Sequence, residues 1–411
     1  MQNESKKSGG RGVIDRYRTY LPVSEATPIV SLGEGSTPLV FAPRLSERID
    51  CRVLIKCEGL NPTGSFKDRG MTVAVSRAVE CGAQALICAS TGNTSASAAA
   101  YAARAGIRCA VILPAGKIAS GKLVQAIAHG ARIVSINGNF DDALRIVREL
   151  GKNGEFAIVN SINPYRIAGQ KTAAFETIDE LGDAPDIHIL PLGNAGNLTA
   201  YAAGYSEYKQ LGKSRGLPRM IGIQAEHAAP IFHRRVIEKP ETIASAIRIG
   251  NPASWEAAQR AVDDSGGVVE IVTDCEILEA QSWLAQTEGI FVEPASAAPI
   301  AGLFKLAREK RCDLIPKDAT VVCTCTGHGL KDPEIVSAKF SETAPVASKR
   351  SSSRGVGCRE TSRASLSRLS VTPAIAEMTA TRRQLSRCVS RRRRATLQIL
   401  AVSPTEVPPY F

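Results

Sequence analysis

Short apolar runs alternate with longer amphipathic segments from about Leu54 to Thr324. Apolar runs of strand length occur at residues 85–89, 109–113 and 187–192, and a segment with a helix-compatible pattern follows each of them. Strands that alternate with helices usually pair in parallel, with the helices packed against the sheet. The pattern therefore predicts an α/β fold with mainly parallel sheets and flanking helices.

One lysine follows a predicted tight turn at the start of a helix. Residues 61–69 read Asn-Pro-Thr-Gly-Ser-Phe-Lys-Asp-Arg, and Pro62 and Gly64 favour a turn before the amphipathic segment 68–80. Lys67 would then lie near the positive end of a helix, where free backbone N–H groups and loss of solvent lower the pKa of an ammonium group. Because a neutral amine can attack a carbonyl carbon, Lys67 is a candidate catalytic residue.

A glycine-rich loop follows the apolar run at residues 187–192. It reads Gly-Asn-Ala-Gly-Asn over residues 193–197 and precedes a helix-compatible segment from Leu198. Glycines let the backbone approach an anion closely, and the N–H groups at the start of a helix bind phosphate. The spacing is not Gly-x-Gly-x-x-Gly, so the loop does not indicate a dinucleotide site. The sequence predicts a phosphate site, with an ordinary strand-to-helix turn as the alternative.

Two further strand ends carry hydroxyl and amide side chains. Residues 90–95 (Ser-Thr-Gly-Asn-Thr-Ser) separate an apolar run from an alanine-rich helix, and residues 325–329 (Cys-Thr-Gly-His-Gly) close the strand that ends at Thr324. Ligand groups gather at the carboxyl ends of strands in open α/β sheets. The first loop could bind a carboxylate while Asn93 reaches a ring hydroxyl, although its side chains could instead only cap the helix. For His328, a supporting or backbone-capping role is predicted.

Three motifs carry a family resemblance. Residues 58–71 (Glu-Gly-Leu-Asn-Pro-Thr-Gly-Ser-Phe-Lys-Asp-Arg-Gly-Met) resemble the cofactor-lysine segment of the threonine synthase family, and residues 33–39 and 326–329 resemble two further segments of it. The resemblance covers about residues 25–340, and motifs of this length in this order are specific. It implies a pyridoxal-5′-phosphate enzyme of fold type II, the fold of the tryptophan synthase β chain, with the cofactor between two lobes.

The resemblance also implies the cofactor contacts. Lys67 would hold pyridoxal phosphate as a Schiff base, Asn93 would contact the 3′-oxygen of its ring, and Thr326 would face its pyridine nitrogen. The cofactor phosphate would be bound by the loop residues Gly193, Asn194, Ala195, Gly196 and Asn197. A neutral hydroxyl at Thr326 gives no charge to keep the pyridine nitrogen protonated, so the electron sink would be softer than with an aspartate.

A second anion site is implied by residues 160–166 (Asn-Ser-Ile-Asn-Pro-Tyr-Arg). Here Asn160, Ser161 and Arg166 would bind a phosphate of the substrate, since a guanidinium group grips phosphate as a fork. The substrate carboxylate would be bound by the loop residues Ser90, Thr91 and Thr94. The reaction that the family implies converts O-phospho-L-homoserine and water to L-threonine and phosphate, by γ-elimination of phosphate and β-addition of water.

Other enzymes remain as alternatives. A threonine deaminase or a cysteine synthase would share Lys67 and the 193–197 loop, but neither needs a second phosphate site, so Arg166 is the discriminating residue. Residues 116–122 (Gly-Lys-Ile-Ala-Ser-Gly-Lys) nearly spell the phosphate loop of an ATPase. The next residue is Leu123, where a Ser or Thr should bind magnesium, and this disfavours the ATPase.

Composition agrees with a large globular enzyme. The 411 residues are 44% hydrophobic and 22% charged, enough for a sizeable core and two or three domains. The eleven cysteines lie mainly in apolar segments without zinc-ligand spacing, which favours reduced core residues, a cytoplasmic location and no metal. No apolar run is long enough to span a bilayer. The family suggests a homodimer.

The positive charge is concentrated at one end of the chain. Residues 346–411 contain thirteen lysines and arginines against three glutamates, so they carry a net charge of +10 out of the total of +11. This Ser/Arg-rich segment lacks apolar periodicity and is predicted to be disordered. A basic arm could bind nucleic acid. The resemblance stops near Ala344, however, and an altered reading frame in a GC-rich gene yields such an ending, which is the favoured interpretation.

The predicted domain organisation has four parts. Residues 1–24 form a flexible N-terminal segment, and residues 341–411 form the basic tail. Residues 25–60 together with 160–340 form a larger domain that binds the cofactor phosphate. Residues 61–159 form a smaller mobile domain that carries Lys67, and its closure would expel water from the site.

Overall fold

The computed structural model describes residues 12–115, 120–138, 140–152 and 155–340. Fourteen α-helices and ten strands are found in these ranges. The strands are β1 Leu39–Phe41, β2 Arg52–Cys57, β3 Ala85–Ala89, β4 Arg108–Pro114, β5 Arg132–Ile136, β6 Phe156–Ile158, β7 Ile187–Pro191, β8 Arg219–Ala225, β9 Val268–Val272 and β10 Thr320–Cys325. The helices are α1 Val13–Tyr17, α2 Pro43–Ile49, α3 Lys67–Glu80, α4 Asn93–Ala105, α5 Ser120–Ala128, α6 Phe140–Gly151, α7 Pro164–Gln170, α8 Thr172–Leu181, α9 Gly196–Gln210, α10 Pro230–His233, α11 Trp255–Asp264, α12 Asp274–Trp283, α13 Pro294–Arg308 and α14 Pro333–Phe340.

The strands form two sheets. The larger sheet has the order β1-β2-β10-β7-β8-β9, and the smaller has the order β5-β4-β3-β6. The pairing is parallel throughout except between β1 and β2. The prediction of an α/β fold with mainly parallel sheets is confirmed.

Helices cover both faces of the smaller sheet. On one face, Met71 and Val75 of α3 and the alanines of α4 pack with β3 and β4, and on the other Ala143 and Val147 of α6 pack against Ile87. All five residues of β3 are buried. A strand buried on both faces reads as a continuous apolar run, which explains why β3 could be predicted from the sequence.

The larger sheet is also covered on both faces. Residues of α12 and α13 pack on one face, and residues of α8, α9 and α11 pack on the other. His188 of β7 is buried between the hydroxyl groups of Tyr205 and Thr324, each 2.7 Å from a ring nitrogen. Burial lowers the pKa of His188 to about 3, so the ring is neutral at physiological pH and has a structural role in the core.

The sheets divide the chain much as the predicted domains do, with one complication. Strands β3 to β6 all lie within residues 61–159, and the remaining strands lie outside that range. However, the turn before Lys67 is hydrogen-bonded to the end of β10: Phe66 N donates to Thr326 O at 2.9 Å, and His328 N donates to Gly64 O at 3.0 Å. The domain boundaries and the mobility of the smaller domain stay predictions.

The start of the chain differs from the flexible segment predicted over residues 1–24. Helix α1 buries Val13, Ile14 and Tyr17, and the ring of Tyr17 packs against Phe175 with centroids 5.4 Å apart. A helix of five residues is too short for its periodicity to stand out in the sequence. Residues 1–11 and the predicted tail 341–411 lie outside the described residues, as does the 116–119 part of the near-ATPase motif.

Some of the remaining expectations can be compared with the described part of the chain. Six of its nine cysteines are buried and free, whereas Cys81, Cys275 and Cys312 are exposed, so the prediction of core cysteines is wrong for these three. No helix there is long and apolar enough to cross a membrane. No group of three or more His, Cys, Asp or Glu side chains in those ranges could hold a metal ion.

Candidate active site

The turn before Lys67 is fixed by buried hydrogen bonds. Gly64 has a φ of +82°, which glycine tolerates without a steric penalty. The Asp68 carboxylate accepts from the Thr63 N–H at 2.7 Å and from the Thr63 hydroxyl at 2.6 Å, which closes the turn onto the first residues of α3. Asp68 also accepts from Ser97 of α4 at 2.6 Å. The predicted turn-to-helix junction is therefore present, with Lys67 as the first residue of α3.

The Lys67 amine lies in a buried, cationic environment. Burial and, to a smaller extent, the Arg166 guanidinium lower its pKa to about 7, while the Glu293 carboxylate acts in the opposite direction. The Nζ atom lies 4.1 Å from the centre of the Phe66 ring. The predicted direction of the pKa change is confirmed, and burial is its main cause. A substantial neutral fraction near pH 7 suits this amine for attack on a carbonyl carbon.

Arg166 comes close to Lys67 because α3 and α7 pack with almost no gap. A Cβ atom on Gly70 would lie 2.6 Å from Arg166 O, and one on Gly169 would lie 2.0 Å from Arg69 O. Only glycine permits such an approach between two helix backbones. The contact places the side chain of Arg166, on α7, within electrostatic reach of the amine that begins α3.

Arg166 is a buried cation with few partners. Its side chain is 1% exposed, and its Nη1 donates to Val159 O at 3.1 Å. Its Nε has no hydrogen-bond partner, and no carboxylate pairs with it, in the part of the chain that the structure describes. Burial lowers its pKa to about 10, so it remains protonated at neutral pH. Because an unpaired buried charge is costly, this site favours an anion.

Asn160 and Ser161, which were predicted to bind a phosphate together with Arg166, have different surroundings from that residue. The Asn160 amide is paired with the backbone of Ala89, accepting from its N–H at 3.1 Å and donating to its carbonyl at 2.9 Å. This pairing joins the segment after β6 to the end of β3 and fixes the base of the 90–95 loop. Ser161 is half-buried beside it. Direct contact of Asn160 with a phosphate stays a prediction, and its hydrogen bonds show a role in positioning the loop.

Residues 90–92 form a short loop that leads into α4, and residues 93–95 form its first turn. The Ser90 hydroxyl accepts from Gly92 N at 3.2 Å, and Thr91 and Thr94 are half-buried at the first turn. The four N–H groups of a first turn lack intrahelical acceptors, so they are available to a carboxylate. Asn93 Nδ2 donates to both carboxylate oxygens of Glu293, at 3.0 and 3.2 Å.

The glycine-rich loop connects β7 to α9 as predicted. A Cβ atom on Gly193 would lie 3.0 Å from Ile247 Cα and 3.1 Å from Ala246 O, so this position suits glycine. Ala195 has a φ of +65°, an uncommon left-handed conformation for alanine. Asn194 Oδ1 accepts from Ala253 N at 3.4 Å. The loop therefore leads into the first turn of α9, where N–H groups lack intrahelical acceptors.

Thr326 lies directly after β10 and is buried. Its Oγ1 is 2.9 Å from Ser296 Oγ, which also accepts from Gly327 N at 2.8 Å. When Ser296 donates its hydroxyl proton to Thr326, the Thr326 proton is free for another acceptor. His328 accepts from Leu330 N at 3.2 Å through its side chain, which confirms the predicted capping role.

The site has the donors that pyridoxal phosphate and a phosphorylated substrate require. Three of the buried donors that have no partner in the described part of the chain lie at the site: Ser65 Oγ in the lysine turn, Arg166 Nε, and Asn197 Nδ2 after the glycine-rich turn. Unsatisfied buried donors are rare in native proteins and often mark a group that an absent ligand satisfies. The amine of lowered pKa at Lys67 and the N–H groups at the start of α9 therefore fit this cofactor. The second buried cation, Arg166, fits a phosphate on the substrate.

Comparison with known proteins agrees with this chemistry. A family model described as a pyridoxal-phosphate dependent enzyme matches residues 30–327, which include Lys67, the glycine-rich loop and Thr326. The chain belongs to the pyridoxal-phosphate-dependent enzyme family. Pyridoxal phosphate is accordingly its cofactor.

Several curated members of this family are similar over most of the chain. A threonine synthase from Synechocystis is 58% identical over 326 residues, 79% of this chain and 84% of that protein. One from Mycobacterium bovis is 56% identical over 336 residues, 82% and 92% of the two chains. One from Methanocaldococcus jannaschii is 53% identical over 329 residues, 78% and 80%.

Solved structures show the fold of this family. Maize serine racemase superposes with a TM-score of 0.66 at 18% identity, covering 80% of this chain and 95% of that one. A threonine deaminase from Solanum lycopersicum superposes with a TM-score of 0.65 at 21% identity, covering 79% and 88%. The predicted fold type II architecture is confirmed.

Three residues near the site were not predicted from the sequence. Glu293 is buried against Asn93, and Ser296 contacts Thr326. Lys331 is partly buried, donates to Gln125 Oε1 at 2.5 Å, and lowers the pKa of Glu293 through its charge. One signal was available for Glu293, since a charged residue stands between the apolar residues 290–292 and an alanine-rich helix.

Proposed function

We propose that the protein is a threonine synthase, which converts O-phospho-L-homoserine and water to L-threonine and phosphate. The observation that carries the proposal is the buried Arg166 guanidinium, which lies within electrostatic reach of Lys67 and has no carboxylate partner among the described residues. A deaminase or a cysteine synthase needs one phosphate site for the cofactor, whereas this reaction needs a second one for the substrate. The identity to curated threonine synthases supports the same choice.

Pyridoxal phosphate supplies the electron sink that stabilises negative charge on substrate carbon atoms. Lys67 holds the cofactor and, when its amine is released, accepts and returns protons. A pKa of about 7 suits both roles, because the amine is partly neutral and partly protonated at physiological pH. The buried position of Lys67 excludes bulk water and strengthens its electrostatic interactions.

Arg166 binds the substrate phosphate and stabilises it as a leaving group. Its charge persists because the pKa of about 10 lies well above neutral pH. Ser161 borders the same site, and Asn160 holds it against β3. Phosphate that stays next to Arg166 after elimination is available as a proton carrier when water adds.

The other contacts orient the two ligands. We assign the cofactor phosphate to residues 193–197, the ring 3′-oxygen to Asn93 and the pyridine nitrogen to Thr326. The substrate carboxylate is assigned to Ser90, Thr91 and Thr94 at the first turn of α4. The free N–H groups at the starts of α9 and α4 support both anion assignments.

We further propose that the protein is a cytoplasmic homodimer. The antiparallel strand β1 is an edge of the larger sheet, and its Phe41 side chain is 52% exposed. An exposed apolar edge strand favours pairing with a second chain. The free buried thiols support a reducing compartment. Sedimentation equilibrium of the native chain and of Phe41→Lys, which should weaken the dimer, tests the assembly.

The function is tested by turnover and by one arginine variant. The purified enzyme should release phosphate from O-phospho-L-homoserine and form L-threonine, with little activity on L-threonine or O-acetyl-L-serine. Arg166→Gln should lower kcat/KM for phosphohomoserine at least about tenfold, since charge-assisted hydrogen bonds contribute about 1.5–3 kcal/mol each. Its affinity for pyridoxal phosphate should change less than about threefold.

The exposed Arg145, on α6, provides the control. Arg145→Gln should keep the native kcat/KM. Equal losses of cofactor affinity and turnover in Arg166→Gln would assign Arg166 to the cofactor phosphate instead. Turnover of O-acetyl-L-serine that exceeds turnover of phosphohomoserine would replace the proposed function by a cysteine synthase.

A further inference from the structure

Glu293 is a buried carboxylate that contacts the site from the side of the larger sheet. It precedes α13 as its N-cap residue, and its side chain is 2% exposed. Its backbone N–H donates to Gly327 O at 3.1 Å, which fixes it next to Thr326. A Cβ atom on Gly327 would lie 2.4 Å from Glu293 Oε1, so the carboxylate packs directly on this strand end.

This carboxylate accepts hydrogen bonds from the amide of Asn93, the first residue of α4, which packs on the smaller sheet. The distances from Nδ2 to the two oxygens, 3.0 and 3.2 Å, indicate one N–H shared between both. An amide nitrogen carries two hydrogens, so the second remains free. The contact joins the start of α4 to the start of α13 and leaves one Asn93 donor for a ligand.

An ionised carboxylate has a further effect on the amide, because it accepts hydrogen bonds and donates none. It therefore excludes the orientation in which Oδ1 of Asn93 points toward Glu293. A neutral side chain such as glutamine would permit both orientations. If the amide flipped, its carbonyl oxygen would meet the 3′-oxygen of the cofactor, and two acceptors would repel each other.

The charges around Glu293 permit this ionised form. Its pKa is raised to about 7, mainly by burial and also by the Asp332 charge, although the Asn93 hydrogen bond and the Lys331 and Lys67 cations act to lower it. Above about pH 7 the carboxylate is thus ionised. For a purely structural contact, a buried carboxylate is a costly choice compared with an amide of the same shape.

We propose that Glu293 is a positioning residue that fixes the Asn93 amide with its free N–H toward the ring 3′-oxygen of pyridoxal phosphate. The inference rests on the proposed role of Asn93. It goes beyond that role because it assigns the amide orientation to a carboxylate at the start of α13, a helix that packs on the larger sheet.

A double-mutant cycle on cofactor binding tests the proposal at about pH 8, where Glu293 is ionised. The dissociation constant of pyridoxal phosphate and the visible absorbance band of the bound cofactor are measured for the native chain, Glu293→Gln, Asn93→Ala and the double variant. Glu293→Gln should weaken binding about three- to tenfold and shift the band, consistent with one misplaced hydrogen bond. In the Asn93→Ala background the same change should have almost no further effect.

Two controls separate positioning from stability. Glu309→Gln, at the exposed C-terminal end of the same helix, should leave affinity and band unchanged. The melting temperature of the Glu293→Gln apoprotein should not fall, because the amide keeps the shape and removes a buried charge.

The proposal is overturned if Glu293→Gln weakens binding by the same factor with and without Asn93, or if it lowers the melting temperature without moving the band. If Asn93→Ala alone leaves both readouts unchanged, the role of Asn93 and this inference are both wrong. None of these measurements uses the substrate, so they are independent of the test of threonine synthase activity.

Discussion

At the scale of single residues, burial decides the chemistry of the site. Lys67 and Arg166 are both cations removed from water, but the amine has its pKa lowered to about 7 and the guanidinium to about 10. At neutral pH the lysine is thus ready to react, while the arginine stays a permanent charge. The same physical cause thus supports both proposed roles, a nucleophile at Lys67 and an anion-binding group at Arg166, because the two groups start from different ordinary pKa values.

The rate at which the apoprotein incorporates pyridoxal phosphate should therefore depend on pH. Only the neutral amine reacts, so the rate should fall as the pH drops below about 7 and level off above it. Arg166→Gln removes a charge that lowers the pKa of Lys67, and the midpoint should move to higher pH. Glu293→Gln removes a charge that raises it, and the midpoint should move to lower pH. Stopped-flow absorbance measures these midpoints.

Lys67→Ala should show no covalent cofactor band at any pH. The exposed Lys317 is the appropriate control, because Lys56 is fully buried in an ion pair with Glu176 and its loss would disturb folding. Lys317→Ala should react like the native chain. Borohydride reduction and peptide mapping that label a lysine other than Lys67 would contradict the assignment.

At the scale of elements, a buried ion cluster supports the start of α3. Arg69 donates to Glu58 at 2.7 Å and to Glu176 of α8 at 2.6 Å, and Lys56 of β2 donates to Glu176 at 2.9 Å. Burial opposes the ionisation of Glu176, but Arg69 and Lys56 outweigh it and hold its pKa well below its usual range. The cluster joins β2, α3 and α8, and its arginine, Arg69, lies two residues after Lys67.

Glu176→Gln should destabilise the fold by about 3–5 kcal/mol, because it leaves two buried cations short of a partner. Glu180→Gln, on the exposed side of the same helix, should change stability by less than about 0.5 kcal/mol. Urea denaturation measures both. Since the native pKa is depressed, the stabilisation is present above the unfolded pKa of glutamate and is lost as the pH falls. The difference between native and Glu176→Gln should therefore shrink in acid, and a constant difference would contradict the role of the charge.

A second prediction at this scale concerns the glycine-rich loop and its affinity for the cofactor. Gly193→Ala would press a methyl group against the backbone at residues 246–247 and shift the loop. The dissociation constant of pyridoxal phosphate should rise at least about tenfold, while the protein remains folded. Gly216→Ala, which meets nothing within 4 Å, should have little effect. An unchanged cofactor affinity in Gly193→Ala, together with a lower melting temperature, would remove this loop from the phosphate site.

At the scale of the whole molecule, the family match and the charge lie in different parts of the chain. The match covers residues 30–327, whereas residues 346–411 carry a net charge of +10. Deleting residues 346–411 should keep kcat/KM for phosphohomoserine within about twofold, since none of the assigned site residues lies there. Steady-state turnover of the truncated and full chains side by side provides the measurement. A truncated protein that folds but is inactive would make this segment part of the enzyme.

The sequence sufficed for the fold, and for the local structure around several candidate site residues, because these signals are local. Strands buried on both faces are continuous apolar runs, and Lys67 and residues 193–197 stand at strand or turn ends with characteristic glycines. The pairing of Glu293 with Asn93 could not be predicted, because the two residues lie 200 positions apart in the chain. Asn160 shows the same limit: its amide pairs with Ala89, a contact made only when β3 and β6 become neighbours.

The close packing of α3 against α7 has a mechanical consequence. Lys67 and Arg166 belong to helices on opposite sides of the predicted domain boundary, yet the Gly70 and Gly169 contacts leave no space for one helix to slide over the other. The two helices should therefore move together as one rigid unit in any opening of the predicted domains. The distance between the Lys67 amine and the Arg166 guanidinium would then stay nearly constant during such a motion. The site would therefore select a substrate by its length before any part of the site closes around it.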